Sequence, residues 1–148
     1  MEEDELFFEL FNCLKVLGGT KKVRFPDFGS QSKYKIFKLN EYEEKFNLLI
    51  NRKGHLDPNK LTYIMSSKSL GGLLVRLDMA GPPHTGIDGI DIPTPHVHIF
   101  DEEHNYGSIV EPLSELSNHD IVDELYDSLI AFLLYNNVET KNIEFGII

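Results

Sequence analysis

The sequence predicts a single α+β domain spanning residues 1–148: an antiparallel sheet, a meander of about five to six strands, packed with an N-terminal and a C-terminal amphipathic helix. Three observations predict it. Apolar residues recur at spacings of three and four near both ends of the chain, the period of a one-sided helix. Between Lys45 and Met79 three consecutive segments alternate apolar and polar, with turns too short for a helical crossover. A length of 148 residues suits one domain with one core.

Residues 3–17 are predicted as the first helix, with Leu6, Leu10, Leu14 and Leu17 inward and Gly18-Gly19 ending it. Val23-Arg24-Phe25 reads as a short strand stopped by Pro26. Lys33 to Asn40 alternates, with Tyr34, Ile36 and Lys38 on one face and Lys35, Phe37 and Leu39 on the other. Lys45 to Arg52 is a strand, Gly54 to Asn59 a turn, Leu61 to Ser66 the returning strand, and Leu73 to Met79 the third. Residues 80–95, rich in Pro and Gly, exclude a regular element and are expected to form a loop that is functional or disordered. That loop runs into Pro95-His96-Val97-His98-Ile99-Phe100, a short strand, and then an acidic, turn-rich stretch from Asp101 to Glu111. Ser117-Asn118 offers an N-cap for a second helix over Ile121–Val138, with Val122, Leu125, Leu129, Phe132 and Leu133 inward. Asn142 to Ile148 is expected to be an edge strand.

A net charge of −10, from 24 acidic and 14 basic residues, argues against direct, sequence-independent binding of nucleic acid. A local basic patch is left open by Lys21, Lys22, Arg24, Lys33, Lys35 and Lys38 in the first third. The acidic surplus reads either as solubility or as attraction to a basic partner. No apolar run reaches the ~18–20 residues that span a bilayer, and Met1-Glu2-Glu3-Asp4-Glu5 is unlike a basic signal peptide, so a cytoplasmic location and no membrane partner are expected. Cys13 is the one cysteine, which excludes an internal disulfide and reads as a small core or interface side chain.

The chemistry-bearing residues cluster late. His96 and His98, two apart on a strand, point to one face, and His84 lies in the loop that feeds them. Together they are the candidate catalytic residues and the candidate ligands of a divalent metal such as zinc. A bland alternative has one imidazole packed on apolar neighbours and the other bonded to loop backbone. Arg76, Asp78, Arg52, Lys60 and Tyr63 form a candidate ligand-binding group: if the cations converge on the histidines they make an anion site, whereas Arg76 and Asp78 could also be a simple ion pair. Histidine-triad hydrolases place a third alternating histidine where this chain has Phe100. The cupin half-motif is approximated by His96, His98, Glu102 or Glu103, and Gly107, without its downstream half.

The string Leu74-Val75-Arg76-Leu77-Asp78, Gly81-Pro82-Pro83-His84, Asp88-Gly89, Pro95-His96-Val97-His98-Ile99 and Pro112-Leu113 resembles an uncharacterised domain-of-unknown-function family of Gram-positive bacteria, their phages and other mobile elements. The chain departs from that pattern at Ser66-Ser67, where a basic residue is usual, and at Tyr106-Gly107-Ser108, which stands in place of an aromatic stretch with Trp. The resemblance implies a cytoplasmic accessory protein in a mobile-element setting and supplies no reaction.

Three functional expectations follow. The first is an inhibitor-like, anti-defence protein that docks its acidic surface on a host or defence-system protein. The alternative is a metal- or His-dependent phosphoester hydrolase or nuclease, toxin-like, with its site at His84, His96 and His98 and with Arg76 on the phosphate. A third has the histidines staple the loop to the sheet in a domain that oligomerises, a homodimer being the simplest form. Whether the chain is an enzyme is left open by the sequence.

Overall fold

Period-two alternation places most of the strand residues in one sheet. The computed structural model describes residues 2–53, 61–116 and 126–147. Helix α1 (Glu2–Asn12) is followed by strands β1 (Lys15–Leu17), β2 (Lys22–Phe25), β3 (Gln31–Lys38) and β4 (Glu41–Asn51). Then come β5 (Thr62–Ser67), β6 (Gly72–Asp78), β7 (His84–Thr85), β8 (Asp91–Ile92), β9 (His96–Ile99) and β10 (Val110–Pro112). Helix α2 (Tyr126–Tyr135) and β11 (Glu144–Ile147) close the described chain. The main sheet has seven strands in the order β1-β3-β4-β5-β6-β9-β10, every pair antiparallel. The expected meander is its centre, and β1, β9 and β10 extend it beyond the five or six strands anticipated.

Four local expectations need correction. The predicted helix over 3–17 ends at Asn12, and Lys15–Leu17 pair instead with Lys38, Phe37 and Ile36 of β3. The leucine spacing misleads because Leu14 turns outward to solvent while Leu17 is buried from a strand. The 80–95 loop does carry regular pairing, since His84–Thr85 and Asp91–Ile92 form a two-residue ladder. The acidic stretch ends in a strand, β10, that sequence reading missed. The closing strand lies outside the main sheet, pairing parallel with β2. Of the second helix, Ser117-Asn118 and Ile121–Leu125 fall outside the described residues, as does the turn at Gly54–Asn59; Leu129, Phe132 and Leu133 are buried as expected.

One face of the sheet is the core. Leu48, Tyr63, Met65, Leu77 and Val97 project onto it and are sealed by Phe7 and Leu10 of α1 and Leu129 and Phe132 of α2. Burying each such side chain contributes about 1.5–3 kcal/mol. Tyr63 packs against Phe132 with ring centroids 5.6 Å apart and planes tilted by 30°, and shares a 2.8 Å hydrogen bond with Ser128, which docks α2 on the sheet. The opposite face carries exposed Lys33, Lys35 and Lys45 at its β3–β4 end, while its β6–β9–β10 end lies beneath the 79–95 loop and the 101–109 turn.

A single buried cation joins both helix ends. The Lys15 ammonium donates to the carbonyls of Phe11 at 2.8 Å, Cys13 at 3.1 Å and Asn136 at 2.8 Å. Helix C-termini leave carbonyls without partners and favour positive charge, so one group answers both α1 and α2. It also sits 5.0 Å from the centre of the Phe46 ring. Burial pushes its pKa down to about 8. Replacing Lys15 by Met is expected to cost about 2–4 kcal/mol in denaturant unfolding, because the carbonyls lose their donors without gaining water. An unchanged midpoint would refute this account of the helix ends.

Candidate functional site

His96 and His98 leave β9 on the same face, and the register sets Asp78 of β6 opposite His96 and Arg76 opposite His98. His84 comes from the loop side. Its strand β7 pairs with β8, and the next residue, Gly86, bridges Val110 of β10, so the loop is pinned over the histidine pair. The three rings form a near-equilateral triangle, with centroids 5.1 Å apart for His84–His96, 5.2 Å for His84–His98 and 5.0 Å for His96–His98. One ligand nitrogen from each lies within 4.8 Å of the others. His96 and His98 are buried and His84 is exposed, so the cluster opens to solvent on the loop side.

Backbone carbonyls orient the two strand histidines. The Ile92 carbonyl accepts from Nδ1 of His96 at 3.2 Å and the Gly107 carbonyl accepts from Nδ1 of His98 at 2.7 Å. A hydrogen at each Nδ1 leaves both Nε2 atoms directed toward the centre of the cluster, where that of His98 also donates to Asp78 and would have to release that proton to bind a metal. Gly107 can deliver its carbonyl because its φ of +94° suits glycine, and a Cβ there would meet the Phe100 ring at 2.5 Å. The Nε2 of His96 is buried without a hydrogen-bond partner among the described residues.

Asp78 completes the group. Its Oδ2 lies 2.9 Å from Nε2 of His98 and 3.6 Å from Nε2 of His96. Its Oδ1 accepts from Arg76 Nε at 2.9 Å and from the Thr62 hydroxyl at 3.1 Å. Burial opposes ionisation of Asp78, but the bonds from His98 and Arg76 outweigh it and hold the carboxyl well below the usual range. Burial lowers the pKa of His96, against the opposing pull of its bond to Ile92, which keeps the ring neutral and its lone pair available. Two donors on one tetrahedral cation, each at about 2.0–2.1 Å, stand roughly 3.3 Å apart. The distances from Asp78 to the His96 and His98 imidazoles bracket that value, so the three histidines, with Asp78 beside two of them, make a donor set suited to a borderline divalent metal.

The structure divides the other expected residues. Arg76 stands at the cluster, its side chain 43% exposed. Arg52 does not: its Nη1 donates to the Pro26 carbonyl at 3.0 Å, and the guanidinium lies 4.1 Å from the centre of the Phe28 ring. Tyr63 is buried on the core face against α2. Lys60 lies outside the described residues. Glu102 and Glu103 stay away from the histidines, with the Glu102 amide donating to Asp4 and Glu103 grouped with Asp101 and His104. Thr62 and the carbonyls of Ile92 and Gly107 were not foreseen; backbone ligands carry no side-chain signal, and Thr62 is identified by its register opposite Asp78.

Residues 3–138 match a family of unknown function (DUF6978). The chain belongs to this family. Comparison with curated proteins and with solved structures finds no match. Among the described residues no helix is long and apolar enough to cross a membrane.

A second clamp supports the site from behind. His104 is nearly buried between two carboxylates, with Nδ1 2.6 Å from Asp101 and Nε2 2.7 Å from Glu111. It fastens the turn that carries Gly107 to β10. Burial disfavours the charged ring, but the bonds to Glu111 and Asp101 win and raise its pKa above 6.5. A raised folded pKa contributes stability that is complete below the unfolded value of about 6.5 and is lost as pH climbs through the folded value. His104→Gln is therefore expected to destabilise the protein by about 1.5–3 kcal/mol at pH 6 and by less at alkaline pH, measured by urea unfolding across pH. A deficit that grows with pH would contradict the clamp.

Proposed function

We propose that this protein is a divalent-metal-dependent phosphoester hydrolase whose metal is held by His84, His96, His98 and Asp78. The observation that carries the reading is the buried Nε2 of His96, which has no hydrogen-bond partner among the described residues and is aimed at a carboxylate oxygen 3.6 Å away. A lone pair facing an anion is unfavourable in a buried setting, and a cation between them resolves it. A divalent ion there would act as a Lewis acid on a phosphoryl oxygen. The chain supplies the rest: Ile92 and Gly107 fix the imidazoles, Asp78 balances the charge, and the half-exposed Arg76 guanidinium, oriented through its Nε, offers its remaining N–H groups to a phosphate.

The reading keeps the expected setting, a cytoplasmic accessory protein of mobile elements acting against a host or defence-system macromolecule. Docking on a host protein through the acidic surface rests on the net charge, the want of a complete catalytic motif in the sequence and the mobile-element resemblance; the geometry of the site supports the hydrolase instead.

Elemental analysis of the purified protein should find about one zinc, manganese or nickel per chain. Metal at about a hundred times its Kd adds about 2.7 kcal/mol of stability, a rise of roughly 7–10 °C in Tm at this size. His84→Ala, changed at an exposed position, should leave metal-free stability within about 0.5 kcal/mol yet lower metal affinity at least tenfold. Hydrolysis of bis(p-nitrophenyl) phosphate should require added metal and fall with Arg76→Met. Protein that takes up no metal on reconstitution and shows no thermal shift would end this reading.

A further inference from the structure

The outer face of the sheet is a single surface that runs into the histidine site. Lys33 of β3, Leu49 of β4, Ile64 of β5, Arg76 of β6 and His98 of β9 form one continuous cross-strand row. With strands about 4.8 Å apart, the row extends roughly 19 Å from Lys33 to His98. In the next row Lys35 opposes Asn47, which opposes Ser66, and beyond it Phe37 opposes Lys45. Lys35, Lys45 and Lys68 line a concavity of about 200 Å³ together with Phe37 and Asn47.

Charge on this face runs against that of the whole chain. A protein of net charge −10 presents Lys33, Lys35, Lys45 and Lys68 here as exposed cations, with Arg76 half exposed. Of the acidic groups beside them, Asp78 is engaged by Arg76 and His98, while exposed Glu43 sits at the β3–β4 end and exposed Asp88 and Asp91 lie on the loop over the histidines. Screening over about 8–10 Å lets a ligand sense the local face rather than the total charge. Lysines interleaved with half-buried Leu49, Ile64 and Phe37 combine a phosphate track with apolar ground for bases.

We propose that this face binds single-stranded nucleic acid and leads its phosphodiesters to the His84–His96–His98–Asp78 site. This rests on the hydrolase reading and names its substrate class. The whole-chain charge argues against nucleic acid only if the basic residues are scattered, and the sheet register gathers Lys33, Lys35, Lys45 and Arg76, with Lys68 beside them, on the face that the helices leave uncovered. Acidic surface elsewhere would repel the strand and confine it to the track.

Fluorescence anisotropy with labelled oligo(dT) and oligo(U), chelator present so that no strand is cut, tests the track on the full chain. Binding is expected at ~50 mM salt, weakening with log salt at about 0.7 per phosphate contacted. The double reversal Lys33→Glu/Lys35→Glu should weaken binding at least tenfold and reduce the salt slope by about 1.4, with metal content unchanged. The matched reversal Lys22→Glu/Lys141→Glu, away from the face, should bind as the unaltered protein does. Tighter binding of either oligonucleotide identifies RNA or DNA as the source and supports the track. No binding to either, or equal loss in both double variants, overturns it. Metal-dependent cleavage of bis(p-nitrophenyl) phosphate without oligonucleotide binding removes the track alone; oligonucleotide binding without metal uptake supports the track and removes the hydrolase.

Discussion

Asp78 is a carboxylate taken out of water on the last residue of a central strand, and its burial is tolerable only because groups converge on both of its oxygens. Oδ1 receives Thr62 and Arg76, and Oδ2 faces His98 and His96. The consequences spread outward. Thr62 ties β5 to β6, His98 ties β6 to β9, and through the Gly107 carbonyl the same imidazole fixes the 101–109 turn. One anion thus sets the electrostatic sign of the site and the position of the elements around it.

The sheet separates stability from chemistry by face. Residues pointing one way meet α1 and α2 and form the apolar core; residues pointing the other way hold the charged groups and the histidines. Stability is concentrated away from the site, so a substitution at the exposed His84 can alter chemistry at small cost to folding, whereas Arg76 also answers the buried Asp78. Lys15 serves the core face as Asp78 serves the other, one buried charge answering several backbone or side-chain partners.

Where alternation was long enough to be read, sequence and structure agree: Lys33–Asn40, Lys45–Arg52, Leu61–Ser66 and Leu73–Met79 overlap β3 to β6 in turn, with ends that differ by a few residues. Short pairings were invisible because two or three residues carry no period. Lys15–Leu17, His84–Thr85, Asp91–Ile92 and Val110–Pro112 are strands only because a partner lies beside them. The leucines of the first helix illustrate the ambiguity, since the spacing from Leu14 to Leu17 fits a helix turn equally well.

The sequence alone determined that His96 and His98 share a face, since a strand alternates its side chains whatever it packs against, and that the chain forms an α+β domain around a central meander. Only the tertiary structure decided what joins them. Backbone pairing of the 79–95 loop brought in His84, and register chose among the strand residues: Thr62 faces Asp78, while its neighbour Tyr63 turns to the core. Arg52, one residue past the end of β4, left for Pro26 and Phe28. A one-residue step reverses the face of a strand side chain, and the step is set by partners distant in sequence.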